Sequence, residues 1–518
     1  MKNHILILLA FLCYVSLTSA QGNADDPLLE ARLKTAFRVT EATVDNNRVE
    51  LPAGTHIKIV RFRNTPLSNK PDLLVMANNR PYIATQEIVD AIDFDVNRYS
   101  LEDIWTIAYL RSESLKNYGR HGKDLKNRQD LLLEYNSLKE QLDVYRDDYL
   151  TDYLYDIAFQ VFPGSFIPFF PATLGVHIFA GVEPTVFGTS DGELYISTGM
   201  LTALQSEDEL VALITLELAH LYLDHPYLNY KSLLRTQRRA EFWASLATVG
   251  AAILETAAYT SAASSGNLSP YDAAFFGDFT MSTAFLSFGI ASLIANRLGL
   301  EYTDDQKAEA QSLAEMVLDK LGYDRSTLLT LYARVDDFYN AQAAHFLAYE
   351  TENRYDHAYT FEGARDIRLT DKYEMPDEDY MIKMQSVNLA SAFHAYADRN
   401  YGYAEGIVQR ELENGHPIID YYLLNCMIQR RKPNNTEGMT SALKALEGVR
   451  ERAAFLPIDY HRELALINIR LGHIQAAIDA LEDYRSLIGD NPNIEIDAQD
   501  LRWIDQTIQI LTRKVNKG

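Results

Sequence analysis

The sequence predicts a mainly α, α+β protein: a small β-rich module, then a helical body with a small sheet, then a C-terminal α-solenoid of helical repeats. Three observations carry this reading. Short alternating runs separated by turn residues fill residues 21–100. From Leu101 onward, apolar residues recur at three- and four-residue steps, the helical period. Beyond about Val387, Ala404, Ala442 and Ala477 stand 38 and 35 residues apart, near the roughly 34-residue length of a helix–turn–helix repeat.

In chain order, Met1 to Ala20 reads as a signal peptide. Lys2 and His4 precede the apolar run Ile5 to Leu17, and Thr18-Ser19-Ala20 supplies small residues for cleavage. Cys13 follows Leu12 rather than a glycine or alanine, so lipid anchoring is not expected. Without the signal, Cys426 is the only cysteine, and no intramolecular disulfide can form. The formal charge of −24 argues against nucleic acid as a partner, because phosphate binding needs clustered Lys and Arg.

The β module, 21–100, is read from its alternation. Val49 to Thr55 opens a turn, His56 to Phe62 and Leu73 to Ala77 are strands, and Asn78-Asn79 turns into Arg80 to Ile83. The pattern resembles a small SH3-like barrel, with a β-hairpin appendage as the alternative. Leu101 to about Phe162 reads as helix, with Leu131, Leu132, Tyr135, Leu138 and Leu142 on one face and Pro163-Gly164 as the stop. The apolar loop Phe166 to Pro171 precedes a strand at Val176 to Phe179.

Ser206 to His225 is the densest stretch. Leu210, Leu213, Ile214, Leu218 and Leu221 mark a buried helix, and Ser206 with Glu209 predicts a capping box at its start. Inside it, Leu216-Glu217-Leu218-Ala219-His220 is one residue short of H-E-x-x-H, in which two histidines four apart bind Zn²⁺ and the glutamate acts as general base. Alone, it reads better as a core helix with a satisfied histidine.

The flanks give the stretch its identity. Gly192-Glu193-Leu194-Tyr195-Ile196-Ser197-Thr198-Gly199-Met200-Leu201 stands upstream, Glu207-Asp208-Glu209-Leu210 opens the helix, and His225 follows His220 by five. The whole resembles metallopeptidase family 48, which includes HtpX, the CAAX prenyl proteases and the periplasmic Bep-type protease-chaperones. The resemblance implies a zincin-like peptidase domain, here 101–375, with a sheet edge able to hold an extended peptide near Val176 to Phe179. It also implies a third zinc ligand, a glutamate, from a later segment like Y-S-R-D-Q-E-x-E-A-D. Here that segment reads Tyr302-Thr303-Asp304-Asp305-Gln306-Lys307-Ala308-Glu309-Ala310-Gln311, which puts Lys307 at the ligand position and Gln311 at the aspartate.

The resemblance thus assigns Glu217 to the general-base position and His220 to the one retained metal-ligand position, with Leu216 and Lys307 at the other two. A catalytic zinc needs three protein ligands and a water. No cofactor is expected, and zinc only if the site has been rebuilt. Glu309, about 200° round the helix from Lys307, is expected to face away. Glu301 would need another register. Lys307 is expected to pair with Glu217, since a buried carboxylate without a metal needs a positive partner. Substrate-binding residues are not assigned.

Residues 242–295 carry long uncharged runs; Phe279 to Ala295 lies at the lower limit of a span, roughly 17–25 residues. Glu255 and Asp278 favour burial or membrane-surface contact over crossing. Around His357 the family's loop is only loosely matched, and no role is assigned. Residues 385–518 resemble tetratricopeptide-like repeats, clearest from Tyr460 to Leu481, and imply a surface for protein or peptide partners.

Two functions follow: an inactive pseudoprotease acting as a periplasmic chaperone or adaptor in cell-envelope or outer-membrane protein quality control, or an active zinc metalloendopeptidase with a rebuilt site. A structural envelope protein is a third.

Overall fold

The computed structural model describes residues 27–43, 47–63, 72–116, 121–139, 142–162, 174–235, 302–347, 378–414, 417–453, 456–489 and 498–516. Met1 to Ala20, Phe166 to Pro171, Phe242 to Ala295, Glu301 and His357 lie outside them.

The N-terminal module is a six-stranded antiparallel sheet of β1 (Leu29–Arg32), β2 (Phe37–Glu41), β3 (Arg48–Leu51), β4 (His56–Arg63), β5 (Asp72–Ala77) and β6 (Arg80–Ala84), in the order β1-β4-β5-β6-β2-β3. Alternate residues of β5 are buried, as period-2 patterning requires. Asn78 and Asn79 both sit at positive φ, the backbone a two-residue hairpin turn demands. β1 escaped the sequence reading because four residues are too short to show alternation. The module has no core of its own: Ile57, Ile59 and Val75 share one apolar cluster with Trp105, Leu154 and Leu213.

Next come α1 (Leu101–Arg111), α2 (Glu113–Lys116), α3 (His121–Lys139) and α4 (Asp148–Val161). The expected helix does not run on through Leu142. Val144 bridges Phe179, and the Tyr145 amide donates to the Ile178 carbonyl, so this stretch is spent on a strand edge. That edge belongs to a three-stranded sheet of β7 (Gly175–Phe179), β8 (Val186–Thr189) and β9 (Glu193–Ser197), in the order β7-β9-β8, with β7 parallel and β8 antiparallel to β9. The expected open peptide-binding edge at β7 is therefore partly filled by the chain itself.

The short helix α5 (Thr198–Ala203) leads to α6 (Glu207–Tyr222), and α7 (His225–Arg235) follows after one tight turn. Ser206 caps α6 by accepting from the Glu209 amide. The reciprocal half of the predicted capping box is displaced: the Glu209 carboxylate takes the Gln205 amide at 2.6 Å and the Arg334 guanidinium at 3.2 Å. Every residue of α6 from Glu209 to Tyr222 is buried, because α8 (Asp304–Leu321), α9 (Thr327–Leu347), α4 and β8 all pack on it. Thr303 and Gln306 form a full capping box on α8, and Gly322 ends it at φ +87.

Two glycines permit this packing. A Cβ on Gly188 would lie 2.4 Å from Leu221 Cγ, and one on Gly199 would lie 2.1 Å from the Val182 carbonyl oxygen. The second obstacle is backbone and cannot rotate aside. Gly199→Ala is therefore expected to cost about 1–3 kcal/mol or more, read as a lowered urea midpoint with an unchanged slope.

The remaining helices are α10 (Glu378–Lys383), α11 (Gln385–Ala397), α12 (Tyr401–Glu413), α13 (Ile419–Arg431), α14 (Thr436–Arg450), α15 (Ile458–Leu471), α16 (Ile474–Gly489) and α17 (Ala498–Val515). Consecutive helices pack on one another. Ala404, Ala442 and Ala477, singled out by their spacing, are all buried, on α12, α14 and α16. The array joins the body through α5: Thr202 Oγ1 bonds Ser391 Oγ at 2.9 Å, and Arg410 donates to the Thr202 carbonyl at 3.0 Å. Cys426 is buried and unpaired, and burial pushes its thiol up.

Candidate functional site

α6 carries Leu216, Glu217 and His220 into the interior, and α8, crossing it, brings Lys307 and Glu309. Leu216 and His220, four apart, lie on one helical face. Leu216 belongs to the main apolar cluster, so the position where the resemblance implies a ligand is occupied by core hydrocarbon.

His220 is held by Tyr302 and His225. Its ring stacks on Tyr302, with centroids 3.7 Å apart. Its Nδ1 lies 3.0 Å from His225 Nδ1, and His225 Nε2 lies 3.2 Å from Glu309 Oε2. With an ionised Glu309, His225 donates through Nε2 and accepts at Nδ1 from His220, so a neutral His220 carries its proton on Nδ1. Burial, then His225, then the Lys307 charge, push the His220 imidazole well below its ordinary value of 6.5.

Glu217 is fully buried, and among the described residues neither carboxylate oxygen has a hydrogen-bond partner. Burial alone drives its carboxyl well above the ordinary value of 4.5, favouring the neutral acid. The expected Lys307–Glu217 pair is not formed. Lys307 instead has the exposed Asp304 as its carboxylate neighbour, at 4.0 Å, while its own side chain is mostly buried. The physical reason is that a carboxyl so placed sheds its charge by keeping its proton and needs no cation. Tyr332 of α9 lies near Glu217, and its hydroxyl is raised by burial first and by Glu217 next.

Glu309 is also corrected: it does not face away but reaches His225. Tyr302, which served only to align the segment, proves to be the platform under His220. Its position immediately before the Thr303 cap was the available signal. The cap fixes where α8 begins and therefore where Tyr302 sits.

These residues do not fit a catalytic zinc. Leu216 offers no lone pair, and Lys307 brings a cation. Among the described residues no group of three or more His, Cys, Asp or Glu is placed to hold a metal ion. What the arrangement can do is hold the His220 ring in one orientation through His225 and Glu309.

The turn between α6 and α7 is fixed from outside. Asp224 adopts φ +60 and receives both ends of the Arg128 guanidinium from α3, which also lies over the Tyr227 ring at 3.7 Å. Burial raises the Asp224 carboxyl, and Arg128 opposes the rise.

Residues 184–419 match the model of a known family, Peptidase family M48, so an M48 peptidase-family domain is present in this chain. The match runs from just before β8 to the first residue of α13, and thus takes in α10, α11 and α12 beyond the expected boundary at 375. No curated protein matches the chain.

Proposed function

We propose that this chain is a periplasmic pseudoprotease whose peptidase-like body works as a chaperone or adaptor in cell-envelope or outer-membrane protein quality control. The observation that carries the reading is the donor set around His220: core hydrocarbon at Leu216 and a cation at Lys307, the two positions where the motif resemblance implies ligands. A fully buried Glu217 with no polar partner is consistent with a carboxyl no longer serving a reaction. Export rests on the Met1 to Ala20 signal. Partner binding rests on the helices from α11 to α17, whose buried small residues at near-constant spacing resemble tetratricopeptide hairpins. No described helix is long and apolar enough to cross a membrane.

A second reading has its own observation. His220, His225 and Glu309 stand in a continuous line of donors, and a rearranged version would supply a rebuilt zinc site for an active metalloendopeptidase. Metal analysis of the purified chain separates the two, together with a peptidase assay on an unfolded protein for wild type and His220→Ala. The scaffold reading expects far less than one Zn²⁺ per chain and no hydrolysis above background. About one Zn²⁺ per chain, with activity lost in His220→Ala, would establish the other.

A further inference from the structure

The helix α3 does not belong to the described site, yet it is tied to both ends of it. At one end, Arg128 grips Asp224 in the turn that follows α6, and the pair is nearly buried. At the other, Lys139 reaches Asp191 at 3.1 Å and Glu193 at 2.6 Å, in and after the turn between β8 and β9. Between them, the Tyr135 hydroxyl meets Ser190 Oγ at 3.2 Å. His177 first, then Lys139 and Tyr195, hold the Glu193 carboxyl down at about 2, so this end stays charged.

What lies beneath α3 is aromatic. Phe187 stacks on Tyr195 at 5.0 Å, and Phe179, Tyr227, Tyr230 and Tyr302 complete one cluster with Leu131 and Tyr135 of α3. This cluster is separate from the main core and reaches His220 through Tyr302. The helix itself is polar: Leu133 is 68% exposed, and its fully buried apolar side chains among the described residues are Leu131 and Tyr135. A helix with Leu131 and Tyr135 as its buried anchors, Leu132 beside them, Arg128 near its middle and Lys139 at its C-terminal end thus occupies an aromatic groove flanked by acidic residues.

We propose that α3 is a strap docked in cis, and that its release uncovers this aromatic groove for an amphipathic helical segment with basic ends. The groove's chemistry specifies that partner: two apolar side chains one helical turn apart, and a cation at each end to meet Asp224 and the Asp191–Glu193 pair. The stretch from Arg128 to Lys139 opens as a unit because, among the described side chains, it is held by ion pairs at those two residues and by few buried apolar groups between them, the condition for sub-global opening. The inference is independent of the scaffold reading, since a zinc-binding chain would carry the same strap.

The test uses the full chain with Arg128→Ala and Lys139→Ala together, and as probe a labelled peptide spanning residues 121–139. Hydrogen exchange of α3 amides is expected to rise by on the order of tenfold or more while α6 amides keep their wild-type rates. The peptide is expected to bind the double variant on the order of tenfold more tightly than wild type. Exchange rising equally in α3 and α6, or peptide binding that does not distinguish the two chains, overturns the proposal. Should the double variant fail to fold, native-state exchange of wild type in low urea decides. A shallower urea dependence for α3 than for α6 supports the strap, and one merged isotherm overturns it.

Discussion

A chain carrying both Leu216→His and Lys307→Glu is expected to bind about one Zn²⁺, and neither single variant is expected to do so. The two substitutions place an imidazole one helical turn from His220 and a carboxylate on α8, the helix whose residue 307 already acts electrostatically on His220. The surrounding support exists: His220 Nδ1 faces His225, which is backed by Glu309, the kind of outer hydrogen bond that fixes a ligating imidazole. Without metal, Leu216→His alone buries a polar ring in the core and should cost about 1–3 kcal/mol. With zinc at about a thousand times its dissociation constant, the double variant should regain about 4 kcal/mol. The readouts are metal content and the shift of the melting temperature with added zinc. A double variant that folds and takes up no zinc would show that the backbone around α6 and α8 no longer holds the ligand geometry, and that more than the side chains has been lost.

Replacing Glu217 by an apolar side chain of similar length should stabilise the protein, whereas most core substitutions destabilise. The carboxyl is wholly buried with both oxygens unpartnered, so Glu217→Met removes a desolvation cost of about 1–3 kcal/mol. Glu217→Gln keeps an unpartnered polar group and should gain little. The pH dependence follows from the direction of the shift. The folded chain binds this proton more tightly than the unfolded chain does, so the group's contribution is fully present below 4.5 and is lost as pH rises through the raised value. The advantage of Glu217→Met should therefore be smallest in acid and grow toward neutral and alkaline pH. His220 works in the opposite sense: its lowered imidazole contributes stability above 6.5 that is lost as pH falls. The difference between the two chains, and not either curve alone, isolates Glu217. Urea unfolding across pH reads it directly, and a Glu217→Met chain less stable at neutral pH than wild type would mean that the carboxyl has a partner after all.

Much of the architecture was legible in the residues. The hairpin at Asn78-Asn79, the strand at Val176 to Phe179, the start of α6 at Ser206, and the buried alanines of α12, α14 and α16 were all read from local pattern. Local pattern sufficed because each depends on a side chain and its near neighbours: a turn that needs positive φ, a cap, a small residue at a helix crossing. β1, β2 and β8 were missed for want of length, and the helical period was carried too far at Leu142, where pairing with β7 overrode it.

The site divides along the same line. The sequence by itself determined which chemical groups are available: one imidazole where two are called for, a leucine at 216, a lysine at 307, and a carboxyl at 217. Only the tertiary structure decided how those groups are used. It turned Glu309 toward His225, laid Tyr302 under His220, and left Glu217 without the lysine expected to neutralise it. Helical spacing reports the angle of a side chain about its own axis, but partners are chosen by the crossing of α6 with α8 and α9. Burial then settles the charge, because in a dry interior a carboxyl without a partner is most stable with its proton on.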